Sequence, residues 1–472
     1  MNPLAPLDAA MMTAELLSDP LHTAALLILS PPEEAGPGYV DALYRDAVTA
    51  TAELDLRFRR HPHIGVDTAG LWMWRADDTV DMREHLLRVT LPPPADREAL
   101  WELVGSLHSE PLDRSRPMWM AYVIDGLTDG RFAFYIKVHH TVVDGVAGLK
   151  VIADVLSTDP ASRSVRPLPA TASPPARPAA PPPGRVHPLS LVRASLNGVT
   201  SGVALARRVA LGGLAVTVGR FADGTAALPV DAPYTRFNGR LGRHRTFAGV
   251  DFPRSRIRAV AQAAAVTAND VLMAVVSGVL REWLGARGEL PDSTLVAICP
   301  ITVRARDHVT DEDRQANLFG LQLCPLGTDL ADPAERLTHI HRAMARAKHQ
   351  VAHGGPAAAT LLAAPSIAAT VLPPIVPFAP RVRRGYNVSI SNVPGPPSRL
   401  YWNGALVEEI YPVSTAINGQ ALNVTMCSYA DRVTFGYVSG RRVIPDVGSL
   451  IPLTEQALAE LETAVATTAE ET

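Results

Sequence analysis

Two imidazoles and a carboxylate crowd one short stretch, His139-His140-Thr141-Val142-Val143-Asp144-Gly145. An imidazole titrates near neutrality, so it can accept a hydroxyl proton while the oxygen attacks a carbonyl and then return it to the leaving group. A thioester asks little more, because its thiolate leaves readily and the acyl group can pass directly to an alcohol without a covalent enzyme intermediate or a metal. Asp144 would fix the loop through an ion pair, and Gly145 would let the backbone turn. Three other readings stand beside this one. A His-His pair can be a metal site, but the nearby His108 and Asp113 offer no convincing third ligand. The pair can be two satisfied core histidines. It can also belong to a Ser-His-Asp triad, although no Gly-x-Ser-x-Gly elbow occurs.

The elements around this stretch are those that would hold it. Ala121-Tyr122-Val123-Ile124 and the run from Arg131 to Val138 are rich in aromatic and β-branched residues, with Gly126 and Gly130 between them, and predict an antiparallel hairpin. From Ala147 to Leu156 the apolar residues fall at helical spacing. The His-His stretch is then a loop between a strand and a helix, where a sheet edge opens. From Ser157 to Pro188 the composition turns to Pro, Ala, Ser and Arg, with three prolines at 181–183, which predicts a linker. The expected division is 1–156 for an N-terminal domain, 157–233 for the linker and a crossover helix, and 234–472 for a C-terminal domain. In the second half Pro253 to Ala265 reads as a helix, and Thr267 and Asn269 precede a long apolar helix from Asp270 to Trp283, Asn269 being the expected cap. Thr294 to Ile298, Tyr386 to Val393, Leu422 to Tyr429 and Arg432 to Val438 read as strands. Both halves are expected to be α+β.

Composition narrows the classes. The 472 residues suffice for two domains, and 44 Lys and Arg against 47 Asp and Glu leave a net charge of −3, so nothing favours nucleic acid. Charged residues make up 19%, below the roughly 25% usual for soluble domains. Cys299, Cys324 and Cys427 are odd in number, lack metal or redox spacing, and read as reduced, buried thiols. Residues 1–8 show no signal-peptide pattern, so the cytoplasmic side is expected. No run reaches the roughly 18 to 20 apolar residues of a membrane span. Membrane contact would be peripheral, with the apolar stretch 190–219 as its candidate.

The sequence resembles the bacterial wax ester synthase and diacylglycerol acyltransferase family, within the wider His-His-x-x-x-Asp-Gly acyltransferases. The resemblance runs through nearly the whole chain: Pro6-Leu7-Asp8 and Pro20-Leu21-His22, which look like the family's opening strand region; Pro111 to Trp119; Asn238-Gly239 before Arg243 to Phe247; Asn269-Asp270; Pro300 to Arg304; Ser391 to Pro396; and Ser428-Tyr429. Met118 and Ala316 depart from the family's usual Leu and Gly. The resemblance implies two chloramphenicol-acetyltransferase-like domains with a central tunnel, in which acyl-CoA and an acceptor reach one histidine from opposite ends. His140 would then be the general base, His139 its support, and Arg304 the partner of Asp144. Asn269, Asp270, Ser391 and Asn392 would contact substrate. The acceptor would be diacylglycerol or a long-chain alcohol. No metal or cofactor is expected, acyl-CoA being a substrate, and the chain could meet the inner membrane or a lipid droplet peripherally.

Two further readings remain at this point. The acceptor could be of polyketide or peptide type, since condensation enzymes share the histidine motif. The chain could also be a non-catalytic lipid-binding protein of the same fold. On residue chemistry alone, Ser391 to Pro396 is a turn after a strand, Pro117-Met118-Trp119 is core packing, and Arg114 with Arg116 is a solvated, loop-fixing pair.

Overall fold

The computed structural model describes residues 2–16, 18–50, 54–143, 145–163, 227, 230–302, 319–354, 364–365 and 383–470. Arg304, Asp144, Ala316 and the stretch 190–219 lie outside the described residues, as does most of the predicted linker. Fifteen strands fall within them: β1 Asn2–Pro3, β2 His22–Ser30, β3 Arg60–His63, β4 Met73–Ala76, β5 Leu86–Thr90, β6 Trp119–Asp125, β7 Phe132–His139, β8 Arg245–Pro253, β9 Val296–Thr302, β10 Phe319–Pro325, β11 Val388–Pro394, β12 Tyr401–Trp402, β13 Ala405–Val413, β14 Leu422–Tyr429 and β15 Arg432–Gly440.

They form two six-stranded sheets, ordered β12-β13-β2-β7-β6-β5 and β10-β9-β11-β14-β15-β8, with a small sheet β1-β4-β3 beside the first. Helices accompany both sheets, so the α+β expectation holds, and the predicted hairpin is β6 with β7, paired antiparallel. β7 runs through the middle of its sheet with both faces covered, which is why it reads as a nearly unbroken apolar run rather than an alternation. Ala133 and Tyr135 enter one core, shared with Leu26, Ile28 and the helices of the second half. Phe132, Phe134, Ile136 and Val138 enter the other, with Leu27 and Leu29.

The partition at residue 234 does not describe the sheets. β12 and β13 come from the C-terminal half yet complete the N-terminal sheet, β13 pairing antiparallel with β2 from Leu406↔Ser30 to Val413↔Ala24. Asn403 (φ 51°) and Gly404 (φ +87°) make the two-residue turn between β12 and β13, the conformation an Asn-Gly pair favours. Where β13 crosses the second sheet, glycine is obligatory. A Cβ on Gly436 of β15 would stand 2.0 Å from the Pro412 carbonyl oxygen, and one on Gly249 of β8 would stand 2.6 Å from the Tyr411 ring.

Two local expectations are corrected. Pro6-Leu7-Asp8 opens a helix, Pro6–Glu15, not a strand; proline at the first helical position costs no hydrogen bond. The long helix of the second half spans Ala268–Gly285, and its cap is Thr267 rather than Asn269. Thr267 Oγ1 accepts from the Asp270 N–H at 3.3 Å, and the Asp270 carboxylate accepts from the Thr267 N–H at 3.0 Å. This reciprocal box satisfies two amides that the helix start would otherwise leave open. Among the described residues no single helix is long and apolar enough to cross a membrane.

Candidate active site

β7 delivers the His-His pair to the end of the first sheet. His139 is the strand's last residue, opposite His22 of β2, and its N–H donates to the Met118 carbonyl at 3.0 Å. This gives the Pro117-Met118-Trp119 block a backbone role beyond packing. Trp119 itself is core, its Nε1 donating to the Phe58 carbonyl at 3.0 Å. His140 begins the turn, half-buried, and its N–H donates to the Leu21 carbonyl at 2.9 Å.

His139 is 0% exposed and touches no solvent. Its Nδ1 accepts from Thr141 Oγ1 at 2.7 Å and from the Thr141 N–H at 3.3 Å. Because an amide can only donate, Nδ1 is an acceptor and the ring carries its proton on Nε2, which faces Glu15 Oε2 at 3.4 Å. Glu15 therefore closes a bracket around the motif. Its Oε1 accepts from the Leu21 N–H at 3.0 Å, and its Oε2 accepts from Arg114 at 2.9 Å. Burial pushes this carboxyl up, but the close His139 ring, the Leu21 amide and Arg114 together outweigh it and hold the carboxyl at about 2. Arg114, half-buried, is thus a counter-charge to Glu15.

The same face of β7 carries a polar layer beneath the turn. Lys137 is buried, and its Nζ donates to the Leu107 and Glu110 carbonyls, each at 2.7 Å, at the end of the Arg97–Ser109 helix. Burial lowers its pKa to about 8, with the charge of Glu110 opposing. His22 Nε2 donates to the His108 carbonyl at 2.7 Å, and burial, with the charge of Lys137 next, lowers its pKa to about 3. His108 Nε2 donates to the Ser414 carbonyl at 3.2 Å while its Nδ1 accepts from Tyr135 at 2.9 Å. His108 is therefore a buried strut, and no cluster suited to a metal ion occurs among the described residues. The layer rests on carbonyls from both halves, so the turn is fixed from below.

Glu15→Gln tests the bracket. The folded carboxyl titrates below its ordinary value, so its stabilising contribution is full above pH 4.5 and is lost as pH falls toward 2. The variant is expected to unfold at a lower temperature at pH 7, and to lose less of its remaining stability than the parent between pH 4.5 and pH 3. Parallel acid limbs in thermal melts would contradict the assignment.

The other residues expected at the site separate into groups. Gly145 opens the Gly145–Val155 helix without a positive φ, so it does not make the turn as expected; it faces Val393 of β11, whose Cγ2 would lie 3.7 Å from an added Cβ. Ser391 and Val393 share a face of β11, and Ser391 is half-buried there. Asn392 points to the opposite side, exposed, where its Nδ2 donates to Asn269 Oδ1 at 3.1 Å. Two residues expected near substrate thus meet each other. Asp270 is 1% exposed, and its Oδ2 serves both the Thr267 amide and His341 Nδ1, the latter at 2.8 Å. Gly395 is required by packing, since a Cβ would lie 2.4 Å from the Ser428 carbonyl oxygen. The three cysteines are buried and free; burial pushes the Cys299 and Cys427 thiols up to about 12, which leaves them unreactive.

Two mixed layers, the first completed by a strand from the other half of the chain, with a His-His turn at the end of a central strand, define a fold seen in condensation enzymes. The first condensation domain of the calcium-dependent antibiotic synthetase, in complex with a substrate analogue, superposes with a TM-score of 0.60 at 16% identity over 98% of this chain and 96% of that one, which establishes the architecture alone. The family follows from closer matches: residues 4–272 match the wax ester synthase/diacylglycerol acyltransferase catalytic domain and residues 315–462 the C-terminal domain of the same family, to which this chain belongs. A Mycobacterium tuberculosis H37Rv protein provisionally named a diacylglycerol O-acyltransferase is 38% identical over 98% of this chain and 100% of its own length. The wax ester synthase/diacylglycerol acyltransferase of Marinobacter aquaeolei VT8 superposes with a TM-score of 0.77 at 31% identity, covering 99% of this chain and 100% of that one.

Proposed function

We propose that this chain transfers a long-chain acyl group from acyl-CoA to the hydroxyl of diacylglycerol, and to long-chain alcohols as a second acceptor, with His140 as general base. The observation that carries this reading is the bracket Glu15-His139-Thr141 together with the Leu21 carbonyl, which holds the backbone of a half-buried imidazole at the end of β7. His140 removes the acceptor's hydroxyl proton as the oxygen attacks the thioester carbonyl. The tetrahedral intermediate collapses with cleavage of the C–S bond, and the imidazolium returns the proton to the departing thiolate. No cofactor takes part, acyl-CoA being consumed. Ser391, facing the Gly145 side of β11, is the proposed hydrogen-bonding contact for the acyl or acceptor oxygen. His139, fully enclosed, positions rather than touches.

Free CoA release from palmitoyl-CoA, measured with diolein or hexadecanol, tests the reaction. Acceptor-dependent release with ester formation is expected, and its absence with both acceptors would overturn the reading.

A diacylglycerol acceptor resides in membranes, so the proposal includes peripheral contact with an inner-membrane or lipid-droplet surface. Ile64, Val66 and Leu71 support this: they stand exposed around the β3–β4 connection, Val66 completely so, with Arg75 nearby on β4. Val66→Asp with Leu71→Asp is expected to reduce co-flotation with diolein-containing vesicles several-fold. Unchanged flotation would remove this surface from the proposal.

A further inference from the structure

A second polar feature, outside the His-His turn, is a cavity of about 540 Å³ whose walls include Asp19, Pro20, Arg240, Arg243, Arg245 and Arg442. Its volume is that of a small-molecule site. Arg245 is buried, and its Nη2 donates to Asp19 Oδ1 at 2.9 Å. Its Nη1 donates to the Gly242 carbonyl at 2.8 Å and to the Arg243 carbonyl at 3.3 Å. Asp19 in turn accepts from the Asn418 N–H at 3.1 Å. This neutral pair fixes the loop that presents Arg243. Gly242 has φ +83°, and the Arg442 side chain lies across it, its Cδ 3.2 Å from where a Cβ would be.

Arg240, Arg243 and Arg442 are exposed around the cavity, and none makes an ion pair among the described residues. Three uncompensated guanidinium groups on a chain of net charge −3 repel one another. Such a grouping is favourable only toward an anion, and guanidinium geometry suits phosphate oxygens. Its position relates it to the site. Pro20, in the cavity wall, directly precedes Leu21, whose carbonyl holds the His140 amide and whose amide is held by Glu15.

We propose that this cavity binds the phosphate groups of the coenzyme A donor, so that the thioester arm runs past Pro20 and Leu21 toward His140. The inference rests on the acyl-CoA reading above and deepens it. The test compares palmitoyl-CoA with palmitoyl-pantetheine, which carries the same thioester and no phosphate, in the parent and in Arg240→Gln/Arg442→Gln. In the parent, kcat/KM is expected to favour the CoA thioester. In the variant that preference falls tenfold or more, through a raised KM for palmitoyl-CoA. An equal loss with both donors, or an unchanged preference, would overturn the site. Loss of binding to anionic phospholipid vesicles with an unchanged donor preference would also overturn it, showing the anion to be a lipid headgroup. Binding of 3′,5′-ADP by calorimetry, expected in the parent and weakened at least tenfold in the variant, separates the two failures. A parent that turns over neither donor yet binds this nucleotide would refute the reaction and leave the site standing, and no nucleotide binding by the parent would refute the site.

Discussion

His140→Ala is expected to lower kcat for acyl transfer by roughly 10² to 10⁴, the contribution typical of a positioned general base. KM for palmitoyl-CoA should change little, because the donor's affinity lies mostly outside the imidazole. The fold should persist, since the backbone hydrogen bond from residue 140 to the Leu21 carbonyl does not depend on the side chain. The pH dependence separates this from a structural effect: the parent's kcat/KM falls on the acid side as an imidazole protonates, and the residual activity of the variant loses that limb. His139→Ala would damage the protein differently. It removes the partner of Glu15 and Thr141 from a fully buried position, so it lowers the unfolding temperature as well as the rate. Equal rates for the parent and His140→Ala, in protein with matched melts, would end the base assignment.

Gly436→Ala is expected to be the most destabilising single-methyl change. The added carbon would lie 2.0 Å from the Pro412 carbonyl oxygen, a backbone atom held in β13 by its pairing with β2, so no side chain can move aside. Overpacking against movable side chains costs about 1 to 3 kcal/mol. Here the strand itself must shift, and the expected loss is about 3 kcal/mol or more, read as a drop of several degrees in thermal melts or as loss of soluble protein. Gly285→Ala is the control. It ends the Ala268–Gly285 helix with nothing within 4 Å of the new methyl and no positive φ, so it should be neutral or slightly stabilising. If both variants melted with the parent, the close approach of β13 to β15 would be wrong.

What the sequence discloses depends on how local the cause is. β7 and its turn are legible because an aromatic and β-branched run and a His-His-x-x-x-Asp-Gly stretch are both contiguous. The start of the Ala268–Gly285 helix is nearly so: Thr267-Ala268-Asn269-Asp270 contains the Thr-x-x-Asp spacing of a reciprocal cap, but Asn269 is itself a favoured cap residue, and the two alternatives differ by two residues. The Asn403-Gly404 pair is also a local hairpin signal, but nothing near it tells which sheet the hairpin joins. That depends on Leu406 meeting Ser30, partners more than 370 residues apart. Glu15 is the main functional omission. It is one acidic residue at the end of a short helix, and only the fold brings it to His139 and Arg114. Lys137 gave a weak signal, a lone cation within an apolar strand, whose meaning rests on the carbonyls of Leu107 and Glu110.

The late strand β13 also fixes an order of events when the protein is made. As the chain leaves the ribosome, β2, β7, β6 and β5 can pair early, but β2 keeps one edge unsatisfied until residues 405–413 emerge. That edge carries Leu26, Leu27, Ile28 and Leu29, an apolar strand with open amides and carbonyls of the kind that recruits other chains. For most of translation the nascent protein must therefore shelter an incomplete sheet. Expression of the first 160 residues alone should yield insoluble material, and rescue should require a fragment that brings β13.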